Sequence, residues 1–191
     1  MAKKVTINQS GPAAKAAGEV FRDESLIIRA SLPHDETGKE VPFGSFISVT
    51  DEEAEAAIVL KGLLELFPAF SPCFVGKTSI IAGDHWLTKI KTALSSVRLV
   101  LVLFSEESFT HHWLHLECGA ALSRHLPLIA LTFKGLVPSD LPEPYRQYQS
   151  VDMNTEDGAR ALIAGLQARA SFSPASLPEA SDLVARLKHL P

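Results

Sequence analysis

The stretch Arg98-Leu-Val-Leu-Val-Leu-Phe-Ser105 decides the fold class, because it places six apolar residues in a row. A half-exposed strand alternates apolar and polar residues, whereas a strand of a parallel sheet is covered on both faces and is apolar throughout. Residues 98–105 therefore indicate a buried parallel strand. Pro72 lies in the strand predicted at 70–75 and places that strand at a sheet edge. The further strands are predicted at 43–50, 70–75, 127–133 and 148–153.

Helical segments alternate with these strands. Three acidic residues at 51–53 suit the positive N-terminus of a helix that ends before Pro68. Later helices are predicted to begin near Asp84, to span 111–124 and 155–168, and to begin at Pro178. The alternation is typical of a flavodoxin-like, doubly wound α/β fold with a five-stranded parallel sheet in the order 2-1-3-4-5. Ligands of such folds bind beyond the carboxyl ends of the strands, here after Thr50, Val75 and Ser105.

Composition excludes several classes of protein. The 191 residues carry a net charge of −4, which gives no basic surface for nucleic acid. No apolar run approaches the ~20 residues needed to cross a membrane, and no apolar segment follows the N-terminus as in a secretory signal. With only Cys73 and Cys118, a disulfide framework is not expected, and the predicted location is cytoplasmic. The predicted divisions are an N-terminal extension at 1–41, one domain at 42–170 and a C-terminal helix or extension at 171–191.

Glu117 is a carboxylate on a helix face that is otherwise expected to be apolar. It follows Trp113 by four residues, so both side chains point the same way, towards the sheet. A carboxylate near the carboxyl edge of the sheet could bind a sugar hydroxyl. The alternatives are a salt bridge to Arg124 or Lys89, or exposure at the border of the helix, and periodicity alone favours these alternatives.

Two catalytic motifs are incomplete. Gly76-Lys77-Thr78 matches the end of a phosphate-binding loop, but Ser71 stands where that motif needs glycine, and the next helix begins too late. An NTPase is therefore not predicted. Ser48 and Ser105 lack the glycines of the G-x-S-x-G turn, so a serine hydrolase is not predicted either.

A metal site is also not predicted. His111 and His115 have the i, i+4 spacing of zinc ligands, but Cys118 falls on another face of the helix. Phe74, at the end of the second predicted strand, is by default a core aromatic residue.

Three segments in order resemble a TIR domain, the Toll/interleukin-1 receptor fold of innate immune proteins, and specifically its bacterial stand-alone type. Phe46-Ile-Ser-Val-Thr-Asp-Glu-Glu53 resembles the first box of the family. Ile81-Ala-Gly-Asp-His-Trp86 resembles the end of its BB loop. Leu101-Val-Leu-Phe-Ser-Glu-Glu-Ser108, followed by Trp113-Leu-His-Leu-Glu117, resembles the third-strand box and the W-x-x-x-E helix. The resemblance covers residues 43 to 166.

The resemblance implies an activity and a site. Many TIR domains cleave NAD at the nicotinamide–ribose bond, and Glu117 matches their catalytic glutamate. By the same match, the loop from Gly76 to Gly83 would be the mobile BB loop. NAD would be a substrate, with no cofactor and no metal. The residues expected to bind it are Ser48 and Thr50 beside the dinucleotide, Phe74 stacked on a base, Asp84, and Trp113 at the nicotinamide end.

The sequence also departs from the family pattern. Val49 replaces a common aromatic residue after the first-box serine, and Leu114 replaces a cysteine that often follows the tryptophan. The prediction is an NAD-consuming enzyme that forms nicotinamide plus ADP-ribose or a cyclic product, acts in antiviral defence signalling and assembles as a homo-oligomer through TIR–TIR contacts. The alternatives are a non-catalytic TIR adaptor and a deoxyribosyltransferase-like enzyme on the same fold.

Overall fold

The structure is a computed structural model that describes residues 41–76 and 86–190. Its strands are β1 Ser45–Ser48, β2 Cys73–Val75, β3 Leu99–Phe104, β4 Leu128–Thr132 and β5 Val151–Asp152. Within those ranges they form one parallel sheet in the order β2-β1-β3-β4-β5. The predicted flavodoxin-like order is therefore confirmed. The switch point lies between β1 and β3, where Phe46 is opposite Val100.

The helices follow the predicted alternation, with small shifts at several of their ends. They are α1 Ala54–Leu64, α2 Trp86–Ser96, α3 His112–Ser123, α4 Glu156–Ala170 and α5 Ala180–Lys188. α1 begins later than predicted because residues 51–53 form a turn, in which the Ala54 N–H donates to the Asp51 carbonyl at 3.3 Å. β5 is shorter than predicted because a 3₁₀ turn precedes it, and the Tyr148 N–H donates to the Tyr145 carbonyl at 3.0 Å.

The sheet is buried on both faces, as the unbroken apolar strands predict. Alternate strand residues point to opposite faces, so Ile47 and Leu101 pack with α1, α4 and α5. Phe46 and Val100 point the other way and pack with α2 and α3. This second layer holds the W-x-x-x-E helix against the centre of the sheet.

The C-terminal helix is part of the first layer. Leu183, Val184 and Leu187 of α5 are buried in the same core as α1 and α4. The division into a domain at 42–170 and a C-terminal helix or extension at 171–191 stays a prediction. Asp84, residues 77–83 of the predicted BB loop and the predicted extension up to residue 40 lie outside the described residues. Among the helices described, none has the length and apolar character needed to span a membrane.

Candidate active site

Glu117 is a buried side chain on the second turn of α3, with only 2% of its surface exposed. Trp113 lies one turn earlier, and its indole Nε1–H donates a 2.8 Å hydrogen bond to Glu117 Oε1. Trp113 and Glu117 therefore lie on one face of α3, as their spacing predicts. The burial excludes an exposed Glu117, while Arg124 at the end of α3 is itself exposed.

Ser48 holds the second oxygen of this carboxylate. It is the last residue of β1, it is fully buried, and its hydroxyl donates to Glu117 Oε2. Burying a carboxylate is costly unless its oxygens accept hydrogen bonds, and bonds to an ionised acceptor are about twice as strong as neutral ones. Donors from a strand and from the helix itself therefore fix the carboxylate at the carboxyl edge of the sheet.

Gly76 leaves room for the carboxylate from a third direction. It follows β2 directly, and its N–H donates to the Ile47 carbonyl at 3.0 Å. A Cβ added at Gly76 would lie 3.2 Å from Glu117 Oε1, closer than ordinary contact. The sequence analysis placed Gly76 in an incomplete phosphate loop and, by the family resemblance, at the start of the BB loop, but not beside Glu117. Its position directly after a strand end was the signal for a close approach at the ligand edge.

A cavity of about 420 Å³ opens between α2 and α3 and reaches Glu117. This volume lies within the range of small-molecule sites, which are mostly apolar with a few placed polar groups. Lys91 and Glu117 are the charged residues of the lining, and the Glu117 carboxylate is oriented by Ser48 and Trp113. The apolar part of the lining includes Ile90, Leu94, Leu116 and Ala120. The arrangement suits a ligand with a flat apolar part and charges of both signs.

Comparison with known families identifies the family to which this fold belongs. The family model described as the TIR domain matches residues 46–164, which is more than half of the chain. The chain belongs to the TIR domain family. The match includes Ser48, Gly76, Trp113 and Glu117, so the whole hydrogen-bonded carboxylate lies inside the family's domain.

Two solved structures are similar at low sequence identity. A metazoan TIR-STING receptor from C. gigas is 15% identical, with a TM-score of 0.46, over 84% of this chain and 44% of that chain. This chain thus spans less than half of that receptor. The TIR domains of the activated Roq1 resistosome, which directly recognizes the pathogen effector XopQ, are 14% identical with a TM-score of 0.39, over 78% of this chain and 82% of theirs. No curated protein matches the chain significantly.

Three residues expected to bind substrate, Ser48, Thr50 and Phe74, do not line the cavity of this TIR domain. Phe74 is 1% exposed, and its ring stacks on Phe46 with centroids 5.4 Å apart and meets Phe43 edge-on at 5.0 Å. Phe74 therefore packs as a core residue, and its stacking on a base stays a prediction. Thr50 is buried and donates its hydroxyl to Glu53 rather than to the site.

Glu53 is a second buried carboxylate, which the sequence pattern indicated only as part of an acidic helix start. It is 1% exposed, its Oε1 accepts from Ser105 Oγ at 2.5 Å, and its Oε2 accepts from Thr50. Ser105 and Ser108 then bond each other reciprocally, from the Ser105 N–H to Ser108 Oγ at 2.9 Å and from the Ser108 N–H to Ser105 Oγ at 3.1 Å. The signal available in the sequence was the place of Glu53, just after the strand at the switch point.

His115, one of the two histidines with zinc-ligand spacing, has structural partners. His115 Nε2 lies 2.8 Å from the Phe109 carbonyl, which can only accept, so Nε2 donates there, and Nδ1 lies 2.8 Å from the Tyr145 hydroxyl. His111 is exposed and precedes α3. Within residues 41–76 and 86–190, no three His, Cys, Asp or Glu side chains are grouped so as to hold a metal ion.

Cys118 is a neutral thiol. Burial raises the pKa of Cys118 to about 12, against a smaller lowering by its hydrogen bond with Tyr145. Burial likewise raises the pKa of Tyr145. Since the thiolate is the nucleophilic form, Cys118 is not a candidate for nucleophilic catalysis at neutral pH.

Proposed function

We propose that this TIR domain cleaves NAD at the nicotinamide–ribose bond and that Glu117 is its catalytic residue. The observation that carries the proposal is the carboxylate itself, which is buried and held by Ser48 and Trp113, on a residue that lines a cavity of about 420 Å³. A buried carboxylate that lacked hydrogen-bond donors would destabilise the folded state. Here its orientation is retained at the edge where this fold binds ligands.

The chemistry needs one oriented negative charge. The bond between ribose C1′ and the nicotinamide nitrogen breaks, and its electron pair neutralises the positive charge of the ring. The ribose then has oxocarbenium character, as in glycoside hydrolysis, and a fixed carboxylate stabilises it electrostatically. Water adds to C1′ and releases a proton to give ADP-ribose. If the adenine of the same molecule attacks C1′ instead, the product is cyclic.

The other side chains of the cavity suit the same substrate. The half-buried Trp113 presents an aromatic ring beside Glu117, and an aromatic face attracts a cationic ring such as nicotinamide in NAD. Lys91, across the cavity on α2, is a cation for the pyrophosphate. We propose NAD as the substrate on this complementarity, with no metal involved.

The second candidate function is assembly without catalysis. Leu116 lines the cavity on α3, and 55% of its surface is exposed to solvent. An exposed apolar side chain of this size is typical of a protein–protein contact surface when it is part of a larger apolar patch. TIR domains of the Roq1 resistosome belong to an assembly, and we propose that this chain also self-associates through TIR–TIR contacts. A cytoplasmic role in antiviral defence signalling is part of the proposal, and it fits both candidates.

The experiment incubates purified protein with NAD at low and high protein concentration and separates the products by chromatography. Release of nicotinamide that is absent in Glu117→Gln supports the enzyme, and the partner product identifies a hydrolase or a cyclase. Glu107→Gln is the matched control, because Glu107 is exposed on the connection that leads to α3. A steeper than linear increase of rate with concentration supports an assembled active form. Equal activity in Glu117→Gln would overturn the proposed role of Glu117.

A further inference from the structure

The buried Glu53 carboxylate occupies an unusual place for its chemistry. It is the N-cap residue of α1, yet its side chain makes no capping hydrogen bond. Residues such as serine and aspartate are preferred at this position because their side chains accept hydrogen bonds from the first N–H groups of the helix, and the Glu53 side chain does not do this. Its two oxygens instead accept hydroxyl hydrogens from Thr50 and Ser105, at the ends of two neighbouring strands. Such a buried, fully bonded carboxylate acts as a link between β1 and β3.

One branch of this link leads to Ser48. Thr50 lies two residues beyond Ser48, a distance of ~6.6 Å along an extended chain. Ser48 is the donor that holds Glu117 Oε2. Since Thr50 is tied to Glu53, the segment that carries Ser48 is anchored directly beyond the strand end.

The other branch leads to Trp113. Ser105 bonds reciprocally with Ser108, and the Ser108 carbonyl accepts from the His111 N–H at 2.9 Å. The His111 carbonyl in turn accepts from the Leu114 N–H at 3.1 Å, in the first turn of α3. Trp113 lies in that turn. A continuous hydrogen-bonded path therefore runs from Glu53 to the helix turn that supports Glu117 Oε1.

We propose that Glu53 is a positioning residue for Glu117, an inference that rests on the proposed function of Glu117. Glu53 fixes the two supports of the catalytic carboxylate, Ser48 and Trp113, at a set separation without touching the substrate. Misplacement of a catalytic group by about 1 Å can lower a rate on the order of 100-fold. The position of Glu53 therefore controls kcat more than substrate binding.

The kinetic test compares Glu53→Ala, Glu53→Gln and Glu55→Ala. We expect Glu53→Ala to lower kcat roughly 10- to 100-fold, with little change in KM for NAD. Glutamine has the shape of glutamate and keeps one oxygen acceptor, and its amide group can donate to the Thr50 hydroxyl. We therefore expect Glu53→Gln to retain most of the wild-type kcat. Glu55→Ala is the matched control, because Glu55 is exposed on the same helix. Wild-type kcat in Glu53→Ala would overturn the proposal, and so would a Glu53→Gln variant as slow as Glu53→Ala.

A second measurement does not depend on turnover. In a Trp86→Phe background, Trp113 is the only tryptophan, and its fluorescence reports the environment of the indole that bonds Glu117. We expect a shifted emission maximum in Glu53→Ala and in Ser105→Ala, and none in Glu55→Ala. If Glu53→Ala does not fold, Ser105→Ala decides alone, because it removes one of the two bonds to Glu53. Unchanged emission in a folded Ser105→Ala would overturn the positioning role, whereas absent NAD cleavage by the unmodified chain would overturn only the proposed function.

Discussion

Replacing Gly76 with alanine tests whether the position of the Glu117 carboxylate matters, because the change removes no chemical group. The added Cβ would lie 3.2 Å from Glu117 Oε1, but at ordinary contact distances of 3.6 Å from the Ile47 carbonyl and the Phe46 ring. Among the described glycines only Gly135 has a positive φ, so alanine is compatible with the backbone at position 76. The one tight contact is therefore with the carboxylate.

The carboxylate must move by a few tenths of an ångström, and its bonds resist that movement. The shift stretches the 2.8 Å bond from Trp113 or the bond from Ser48. A weakened hydrogen bond to a charged group costs about 1 kcal/mol out of the ~1.5–3 kcal/mol that such a bond contributes. Since ~1.4 kcal/mol corresponds to a factor of ten in rate, we expect kcat for NAD cleavage to fall about fivefold to tenfold.

The assay measures kcat and KM for NAD together with thermal unfolding. Gly62→Ala is the matched control, because no atom lies within 4 Å of a Cβ at this helical position. We expect Gly62→Ala to keep wild-type kcat and to gain about 0.5–1 kcal/mol of stability, as alanine does in helices. An unchanged kcat in a folded Gly76→Ala would refute the reasoning, since it would show that Glu117 can move without loss.

Three other predictions follow from the same site and its surroundings. Ser48→Ala leaves a buried Glu117 oxygen without its donor, so we expect a loss of about 1–3 kcal/mol in urea unfolding and a lower kcat. Lys91→Met removes the cation of the cavity and keeps its stem, so we expect KM for NAD to rise about tenfold in steady-state kinetics with kcat unchanged. Burial raises the pKa values of Cys73 and Cys118 to about 12 from 9.0, so as the pH rises these thiols ionise in the unfolded chain before they ionise in the folded one. Their contribution to the free energy of unfolding is therefore complete below pH 9 and decreases as the pH rises towards 12. In urea unfolding, we expect the free energy of unfolding of Cys118→Ala to decrease less over this pH range than that of the unmodified chain.

The fold could be predicted because its signals are local. Residues 99–104 are apolar throughout, which indicates a sheet covered on both faces, and the alternation of strands and helices is typical of the order that the sheet has. β5 was less predictable. Its two residues are limited by the 3₁₀ turn at Tyr145–Gln147, which has no periodic pattern. Short elements depend on such turns more than on their own propensity.

The site could be predicted only in part, for a physical reason. Trp113 and Glu117 are one helical turn apart, so their shared face followed from spacing. Glu53 and Ser105 are 52 residues apart, and no periodicity predicts that their side chains meet. The placement of Phe74 in the core likewise depends on Phe43 and Phe46, which fill the space around its ring.

The donors that hold Glu117 constrain how this domain could change over evolutionary time. Ser48 is fully buried, so replacing Glu117 with an apolar residue leaves its hydroxyl without the acceptor and without water. An unsatisfied buried donor costs about 1–3 kcal/mol, which is a large part of the ~5–15 kcal/mol that stabilises a typical domain. A descendant that lost Glu117 would therefore be expected to change Ser48 as well, and a serine at this strand end is expected where the glutamate is still present.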